Sequence, residues 1–358
     1  MTKRTVVLTG CGGIPTQNVA WCLRHNLDDY RIIGVDCDKY HIHLTEGFDR
    51  KYLVPRASEG GYVETLNRVI EKEGAEFVHP QPDVEVAALS EARDQLLART
   101  FLPRRSTVSL CHDKYALLQA LEKKRIPVAR SMLLEEEDDV DRAFQVIGDK
   151  IWLRLTRGAG GRGSLPVEDT GLAKKWVQYW NGWGKFSAEE YLPGRNLAWQ
   201  GLFRRGRLLA CVSWERIRYI ISHVSPSGIT GTPSVARLID DDRVHRIGEQ
   251  SIRAIDEMPD GVFGVDLKEN AQGVPCVTEV NPGRFFTPSY MYAKAGYNIV
   301  RAYFQVAFDQ SVEIGPRFSA GNELFWIRGI DANPVMVRMQ RNLRIGQELN
   351  EAAGSQRD

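Results

Sequence analysis

The sequence predicts an α/β protein built from more than one unit, and two observations lead to this prediction. Over the first hundred residues, β-branched segments alternate with segments of helical spacing, in the order 5–9, 17–25, 31–36, 62–73 and 76–79. This βαβαβ order is typical of a parallel sheet. In the second half, strand-like segments at 264–267 and 276–282 flank a turn at 270–273, which predicts an antiparallel pair.

The first strand-to-helix turn is rich in glycine. Gly10, Gly12 and Gly13 follow the first strand, and Asp36 closes the second, which suggests a dinucleotide-binding fingerprint. The match is incomplete, because Pro15 replaces the third glycine of G-x-G-x-x-G. The alternative that we favour is a turn that serves only the fold or lines a different site.

A capped helix begins the next part of the chain. Asp113 occupies an N-cap position, and Leu117, Leu118 and Leu121 recur on the side that we expect to be buried. The helix should end before Pro127, since the residue preceding a proline is pushed out of the helical region. We place the first domain boundary just before this helix.

A predicted strand at 151–155 carries the cation Arg154 and leads into a loop with four glycines and two arginines. The loop residues in question are Arg157, Gly158, Gly160, Gly161, Arg162 and Gly163. Unhindered backbone N–H groups together with guanidinium groups are suited to binding a polyphosphate. A flexible hairpin tip whose arginines face water is the alternative that composition leaves open.

Asp266, Glu279 and Asn281 form a second site-like pattern. The turn between their strands should bring Asp266 beside Glu279, and the strand period of two places Glu279 and Asn281 on one face. Oxygen ligands with one or two carboxylates and a bound nucleotide are what Mg²⁺ prefers. An acidic surface is the alternative, but both carboxylates lie within apolar segments, where an unpaired charge is costly. We therefore favour a metal site.

Composition argues against several classes of function. The 358 residues include 47 basic and 46 acidic residues, which leaves a formal net charge of +1, so we expect neither nucleic acid nor a membrane as partner. Charged residues interrupt every apolar run before it could span a bilayer. The N-terminus lacks the apolar core of a signal peptide, so we expect a cytoplasmic protein. The six cysteines show no zinc-ligand spacing.

Four motifs, in their order and intervals, resemble the ATP-grasp superfamily over roughly residues 1–310. They are the capped helix, the glycine loop, the segment 189–195 and the Glu-x-Asn-Pro strand at 279–282. The resemblance is closest to the branch of biotin carboxylase and the carbamoyl phosphate synthetase large subunit. It implies an ATP-grasp fold, with the expected units as follows: a Rossmann-like domain at 1–108, a linking helix and small α+β lid at 109–190, a central antiparallel-sheet α+β domain at 191–345 and a polar tail at 346–358.

The resemblance also implies where a nucleotide binds. Lys114 and Arg154 match the two family cations that hold the phosphates of ATP, and the loop at 157–164 matches a mobile lid over the triphosphate. The residues that match the strand beside the adenine are Glu189, Glu190, Tyr191 and Leu192. Leu192 would pack on the adenine ring.

The implied metal site comes with two departures from the family pattern. Asp266, Glu279 and Asn281 match the magnesium ligands. Asn196 stands where the family commonly places a ribose-binding acid. Arg284, which would contact the acyl phosphate as a catalytic residue, is displaced by one residue from its usual place after Asn-Pro.

Other polar residues are candidates for binding substrate. Arg216, Arg218 and Arg328 could each hold a substrate carboxylate, with an ordinary surface arginine as the alternative. His223 could act as a base or a substrate contact, and the alternative that we favour is a loop histidine that faces solvent.

Together the motifs and the resemblance imply an ATP-dependent carboxylate–amine ligase with ATP and Mg²⁺ as cofactors. Such an enzyme would form an acyl phosphate and pass the acyl group to an amine, releasing ADP and phosphate. The expected partners are a small-molecule carboxylate and amine; ammonia, a hydroxyl or a thiol as acceptor, and a homodimer, stay open. Two alternatives remain. One is an NAD(P)-dependent oxidoreductase built on the glycine turn, and the other is a degenerate nucleotide-binding sensor, motivated by Asn196 and the displaced Arg284.

Overall fold

The structure of the protein is a computed structural model that describes residues 3–25, 28–158, 160–229, 231–319, 324–329 and 345. Within these ranges the strands form three sheets, two of four strands and one of six. The polar tail that we predict at 346–358 lies outside the described residues. The domain boundaries expected after residues 108 and 190 stay predictions, and a helix at Arg105–Cys111 runs across the first of them.

The N-terminal unit is built on a parallel sheet, which confirms the prediction from alternating strands and helices. Its elements are β1 (Arg4–Thr9), α1 (Ile14–Arg24), β2 (Tyr30–Asp36), β3 (Arg50–Leu53), α2 (Tyr62–Glu73), β4 (Phe77–His79), α3 (Asp83–Glu91) and α4 (Arg105–Cys111). The strand order is β3-β2-β1-β4. Helix α2 has the predicted bounds and buries Leu66 and Ile70, so its apolar face covers the sheet.

In this unit helix α1 differs from the prediction in its bounds, and strand β3 and helices α3 and α4 are additional to the predicted elements. Helix α1 begins at Ile14 rather than at residue 17, because Pro15 fits the first turn of a helix, where its missing N–H is not needed. Strand β3 was not predicted. It is only four residues long and begins with the charged residues Arg50 and Lys51, so its sequence carries no alternating pattern.

The glycines of the first turn are required by close packing. Gly10 has a φ of +62°, and a Cβ there would lie 2.4 Å from Cγ of Pro82. A Cβ on Gly12 would lie 2.6 Å from the carbonyl oxygen of His41. The backbone N–H of Gly12 donates to Oδ2 of Asp36 over 2.8 Å, so this carboxylate fixes the turn. These contacts support a structural role for the glycines.

The small unit holds the glycine loop between two antiparallel strands. Its elements are α5 (Lys114–Lys123), β5 (Ser131–Leu134), α6 (Asp138–Ile147), β6 (Ile151–Leu155), β7 (Leu165–Val167), α7 (Thr170–Tyr179) and β8 (Phe186–Glu190), and its strand order is β5-β8-β6-β7. Asp113 caps α5 as predicted, since its carboxylate accepts from the N–H of Ala116 at 3.0 Å. The predicted leucines of α5 are buried. The glycine loop connects β6 to β7.

The central unit is a six-stranded antiparallel sheet. Its elements are β9 (Asn196–Arg204), β10 (Arg207–Tyr219), β11 (Pro233–Ile239), α8 (Asp242–Ile255), β12 (Gly261–Glu269), β13 (Pro275–Pro282), α9 (Ser289–Lys294), α10 (Ile299–Ala307) and β14 (Phe325–Ile327), and its strand order is β13-β12-β9-β10-β11-β14. The predicted pairing of β12 with β13 is confirmed, with Asp266 directly opposite Glu279.

One hydrophobic core joins the N-terminal unit to the central unit. It includes Leu8 of β1, Trp214 of β10 and Phe304 of α10, all fully buried. The amide of Gln81 adds a two-way link to the backbone of Phe285, donating to its carbonyl oxygen over 2.5 Å and accepting from its N–H over 3.1 Å. The segment that follows β13 is therefore held against the N-terminal unit. None of the described helices is long and apolar enough to cross a membrane.

Candidate functional site

A cavity of about 350 Å³ lies where the three units meet. Strands β6 and β8 of the small unit, β9, β10, β12 and β13 of the central unit and the start of α3 all contribute to its walls. The residues singled out from the sequence that line it are Arg154, Gly160, Gly161, Glu189, Glu190, Leu192, Asn196, Arg216, Asp266, Glu279, Asn281 and Arg284. The fold thus brings together most of the residues that the sequence analysis selected.

Two cations converge on the carboxylate of Glu279. Nη2 of Arg154 donates to Oε2 over 3.1 Å, while Nη1 donates to the carbonyl oxygen of Thr278 over 2.9 Å. Nζ of Lys114 lies 3.7 Å from Oε1 of the same carboxylate and donates to the carbonyl oxygen of Gly158. Lys114 and Arg154 are only 8% and 12% exposed. Three distant parts of the sequence therefore build one charged cluster.

Burial and ion pairing act against each other in this cluster. Burial opposes the charge of Arg154, but Glu189 and Glu279 outweigh it and raise the pKa of the guanidinium. Burial also opposes the charge of Glu279, but Lys114, Arg154 and Arg284 lower the pKa of this carboxyl. At Glu189 burial prevails and raises the pKa, against Arg154 at 3.7 Å. The cluster thus keeps Glu279 ionised.

Asp266, Glu279 and Asn281 lie together at the cavity wall. Nδ2 of Asn281 donates to Oδ2 of Asp266 over 3.0 Å. Oδ1 of Asp266 accepts from Arg216, and Oδ1 of Asn281 accepts from Arg284. Among the described residues, no group of three or more His, Cys, Asp or Glu side chains could hold a metal. Two carboxylates and an amide remain as donors, a hard oxygen set that fits Mg²⁺ when waters and phosphates complete it.

The described glycines of the loop have backbone conformations that favour glycine. Their φ angles are +127° at Gly158, +70° at Gly160, +70° at Gly161 and +73° at Gly163. A Cβ on Gly161 would lie 2.9 Å from the carbonyl oxygen of Ile229, so the loop rests closely on the segment after β10. Arg157 pairs with Asp113 at 3.2 Å and is two-thirds exposed. Gly158, Gly163 and both loop arginines are not among the described residues that line the cavity.

Leu192, Asn196 and Lys268 form a further part of the cavity lining. Leu192 is buried there and packs with Ala129, while the ring of Tyr191 faces Lys150 at 4.5 Å instead of lining the cavity. Oδ1 of Asn196 accepts a long hydrogen bond of 3.4 Å from Nζ of Lys268. Burial lowers the pKa of Lys268. Sequence reasoning missed this lysine, although the strand period places it on the face of Asp266.

Of the remaining candidates for substrate binding, one lines the cavity and three do not. Arg216 lines the cavity, with its side chain almost buried and its guanidinium 5.2 Å from the ring of Phe286. Arg218 and His223 are exposed, and Arg328 lies over the ring of Trp326. Among the described residues these three stand outside the lining.

The N-terminal unit contributes two lining residues that the sequence did not reveal. They are Pro15 and Asp83, and Asp83 forms an ion pair with Arg284. The displaced Arg284 therefore reaches the cavity. A sequence pattern could not have indicated the pair, because its members lie on different units.

Comparison with known proteins identifies the fold. No protein-family model and no curated protein sequence matches the chain. An L-amino acid ligase from Bacillus licheniformis superposes with a TM-score of 0.63 at 13% identity, over 86% of this chain and 74% of that one. A biotin carboxylase from Campylobacter jejuni, solved in a β-γ-ATP complex, gives 0.66 at 15% identity, over 87% and 72%. N5-carboxyaminoimidazole synthetase from Staphylococcus aureus, complexed with ADP, gives 0.66 at 13% identity, over 88% and 80%.

These structures are ATP-grasp ligases. At such low identity the likeness concerns the fold alone, and it agrees with the units described above and with the resemblance in sequence. The chain therefore has the ATP-grasp fold.

Proposed function

We propose that the protein is an ATP-dependent carboxylate–amine ligase. The observation that carries the proposal is the charged cluster, in which Lys114 and Arg154 approach Glu279 beside a cavity that glycines of the loop help to line. Clustered cations are suited to binding phosphates. The carboxylate beside them is suited to a metal ion that the phosphates also bind. A neutral substrate would need neither. Structures with this fold have been solved in complex with ADP and with ATP, which supports a nucleotide as the occupant.

In the proposed complex, the phosphates of ATP lie against Arg154 and Lys114. The glycine loop would cover them, since backbone N–H groups at glycine can approach an anion closely. The adenine would enter the opposite end of the cavity, beside Leu192 and the backbone that follows Glu190. Asn196 and Lys268 would face the ribose, where an amide replaces the usual acid.

Asp266, Glu279 and Asn281 would hold Mg²⁺. When bound, the ion would offset the charge that the transferred phosphoryl group and its neighbours carry. The ion pair of Glu279 with Arg154 helps to lower the pKa of the Glu279 carboxyl and so favours the ionised form that a metal requires. Asp266 pairs in the same way with Arg216.

The proposed reaction has two steps. A carboxylate oxygen of the substrate attacks the γ-phosphorus of ATP, the bond to the bridging oxygen breaks, and ADP leaves. The amine then attacks the carbonyl carbon of the acyl phosphate and loses a proton, and phosphate leaves. The scheme needs no protein nucleophile, so the chain contributes positioning and charge. Among the described residues of the lining, Arg216 and Arg284 are the other arginines, and they would orient the substrate and the acyl phosphate.

The two alternatives find less support. An NAD(P)-dependent oxidoreductase would need a free acid beside the glycine turn, whereas both carboxylate oxygens of Asp36 accept backbone N–H groups, from Gly12 and Asp38 at 2.8 Å each. A nucleotide sensor without turnover would share the whole cavity. Only an assay of turnover separates it from a ligase.

The experiment is ADP release from Mg-ATP across a panel of carboxylates and amines, with mass spectrometry of the products. Matched controls omit the carboxylate or the amine in turn. We expect ADP release that requires the carboxylate and a condensed product that requires both. Binding of ATP without release across the panel would favour the sensor. Absence of ATP binding, with NADH binding instead, would favour the oxidoreductase and contradict the proposal.

A further inference from the structure

Two short segments from different units meet beside the cavity. Gln81 of the N-terminal unit exchanges two hydrogen bonds with the backbone of Phe285. Two residues later, the carboxylate of Asp83 pairs with the guanidinium of Arg284. Residues 81–83 therefore contact residues 284–285 through two hydrogen bonds and one ion pair, and the ion pair involves the side chain of an arginine that lines the cavity.

The glycine turn controls where Asp83 lies. Pro82, the residue before Asp83, approaches Gly10 so closely that a Cβ would lie 2.4 Å from its Cγ. Asp83 then opens helix α3, so its backbone is held by a regular element. The glycine turn, which the proposed function leaves without a role, thus lets Pro82 and Asp83 reach the central unit.

On the other side, Arg284 connects Asp83 to the proposed metal site. Its guanidinium also donates to Oδ1 of Asn281. Gly283 precedes it with a φ of +74°, and a Cβ there would lie 2.6 Å from Cδ2 of Leu102. Gly283 therefore turns the backbone, and Arg284, which follows it, forms the ion pair with Asp83.

We propose that Asp83 is a positioning residue that holds the guanidinium of Arg284 at the cavity, in place for the acyl phosphate. The inference rests on the proposed function, because it is the ligase reaction that gives Arg284 its substrate contact. Stability alone does not explain the pair. Both side chains are partly exposed, at 32% and 20%, and pairs of this kind contribute little to folding. Positioning a charged group near the reacting atoms has a far larger effect on rate.

The first test is structural and does not depend on turnover. Crystal structures of the wild type and of Asp83→Asn are compared at Arg284. We expect the guanidinium to contact Asp83 and Asn281 in the wild type, and to leave Asn281 or lose defined density in the variant. An Arg284 that keeps its place in Asp83→Asn overturns the inference.

The second test is a kinetic cycle with a substrate pair found in the panel. Asp83→Asn should lower kcat about tenfold, with KM for ATP within about twofold, because the lost contact acts on the acyl phosphate. Asp83→Glu should recover part of kcat. In an Arg284→Met background, Asp83→Asn should cost less than about a further twofold, since Asp83 acts through the arginine. Glu91→Gln, an exposed charge on the same helix, is the matched control and should behave as wild type.

The outcomes separate the inference from the proposed function. If the wild type turns over and the losses from Asp83→Asn and Arg284→Met multiply, Asp83 touches substrate directly and the inference is wrong. A wild-type rate in Asp83→Asn overturns it as well. If the wild type releases no ADP with any pair, the proposed function fails, while the crystallographic comparison still decides whether Asp83 positions Arg284.

Discussion

Replacing Arg154 tests the phosphate site at its centre. Its guanidinium makes two hydrogen bonds of 2.9 and 3.1 Å within the cluster and faces the cavity. Loss of one charged hydrogen bond to a phosphate costs about 1.5–3 kcal/mol, and each 1.4 kcal/mol is a factor of about ten in affinity. We therefore expect Arg154→Ala to weaken Mg-ATP binding roughly 10- to 100-fold on these figures.

The same substitution should also destabilise the protein. Glu189 and Glu279, 3% and 24% exposed, would lose their shared counter-charge. Removing one partner of a buried pair costs about 3–5 kcal/mol, and the partial exposure of Glu279 favours the lower end of that range. Arg154→Lys restores the charge, so it should recover most of the melting temperature and part of the ATP affinity.

The assay is calorimetric titration with Mg-ATP, together with thermal unfolding of the free protein. Arg142→Ala, which removes an exposed arginine from α6 of the same unit, is the matched control and should bind as wild type. A folded Arg154→Ala protein with wild-type affinity would refute the reasoning, because the phosphates would then lie elsewhere.

Three further predictions follow from other parts of the chain. Glu279→Gln should abolish ADP release and leave the fold intact, because the new amide cannot supply the charge that a metal needs. Glu257→Gln, at an exposed position, is the control, and wild-type turnover in Glu279→Gln would contradict the metal assignment. Mg-ATP should protect the loop from trypsin at Arg157 and Arg162, which are exposed without it; equal cleavage rates with and without nucleotide would count against a covering loop. Burial raises the pKa of Glu85 from 4.5 to about 7, so its contribution to stability is full below pH 4.5 and is lost as the pH rises through 7. Glu85→Gln should therefore raise the melting temperature relative to wild type at pH 8 more than at pH 5, and an equal difference at both pH values would refute this assignment.

The sequence predicted well wherever local pattern and tertiary structure agree. Helix α2 has the expected bounds because its apolar period matches the face that it buries. The register of Asp266 opposite Glu279 follows from a short turn between two apolar strands. Asp113 caps its helix through the hydrogen bond that its position suggests.

The features that could not be predicted from the sequence depend on contacts between distant parts of the chain. Asp83 and Lys268 line the cavity, yet neither belongs to a glycine loop or an acidic pair that would draw attention. The close approach of Pro82 to Gly10 joins residues 72 positions apart, which no local pattern encodes. Strand β3 is short and lies at the edge of its sheet, so it forms because it pairs with β2 rather than because of a pattern in its own residues.

A crystal structure of the protein with Mg-ADP tests the central claim most directly. The account predicts the nucleotide in the 350 Å³ cavity, with its phosphates on Arg154 and Lys114, Mg²⁺ between Asp266 and Glu279, and the adenine beside Leu192. A nucleotide bound at the glycine turn of the N-terminal unit, or phosphates that lie away from Arg154, would contradict it.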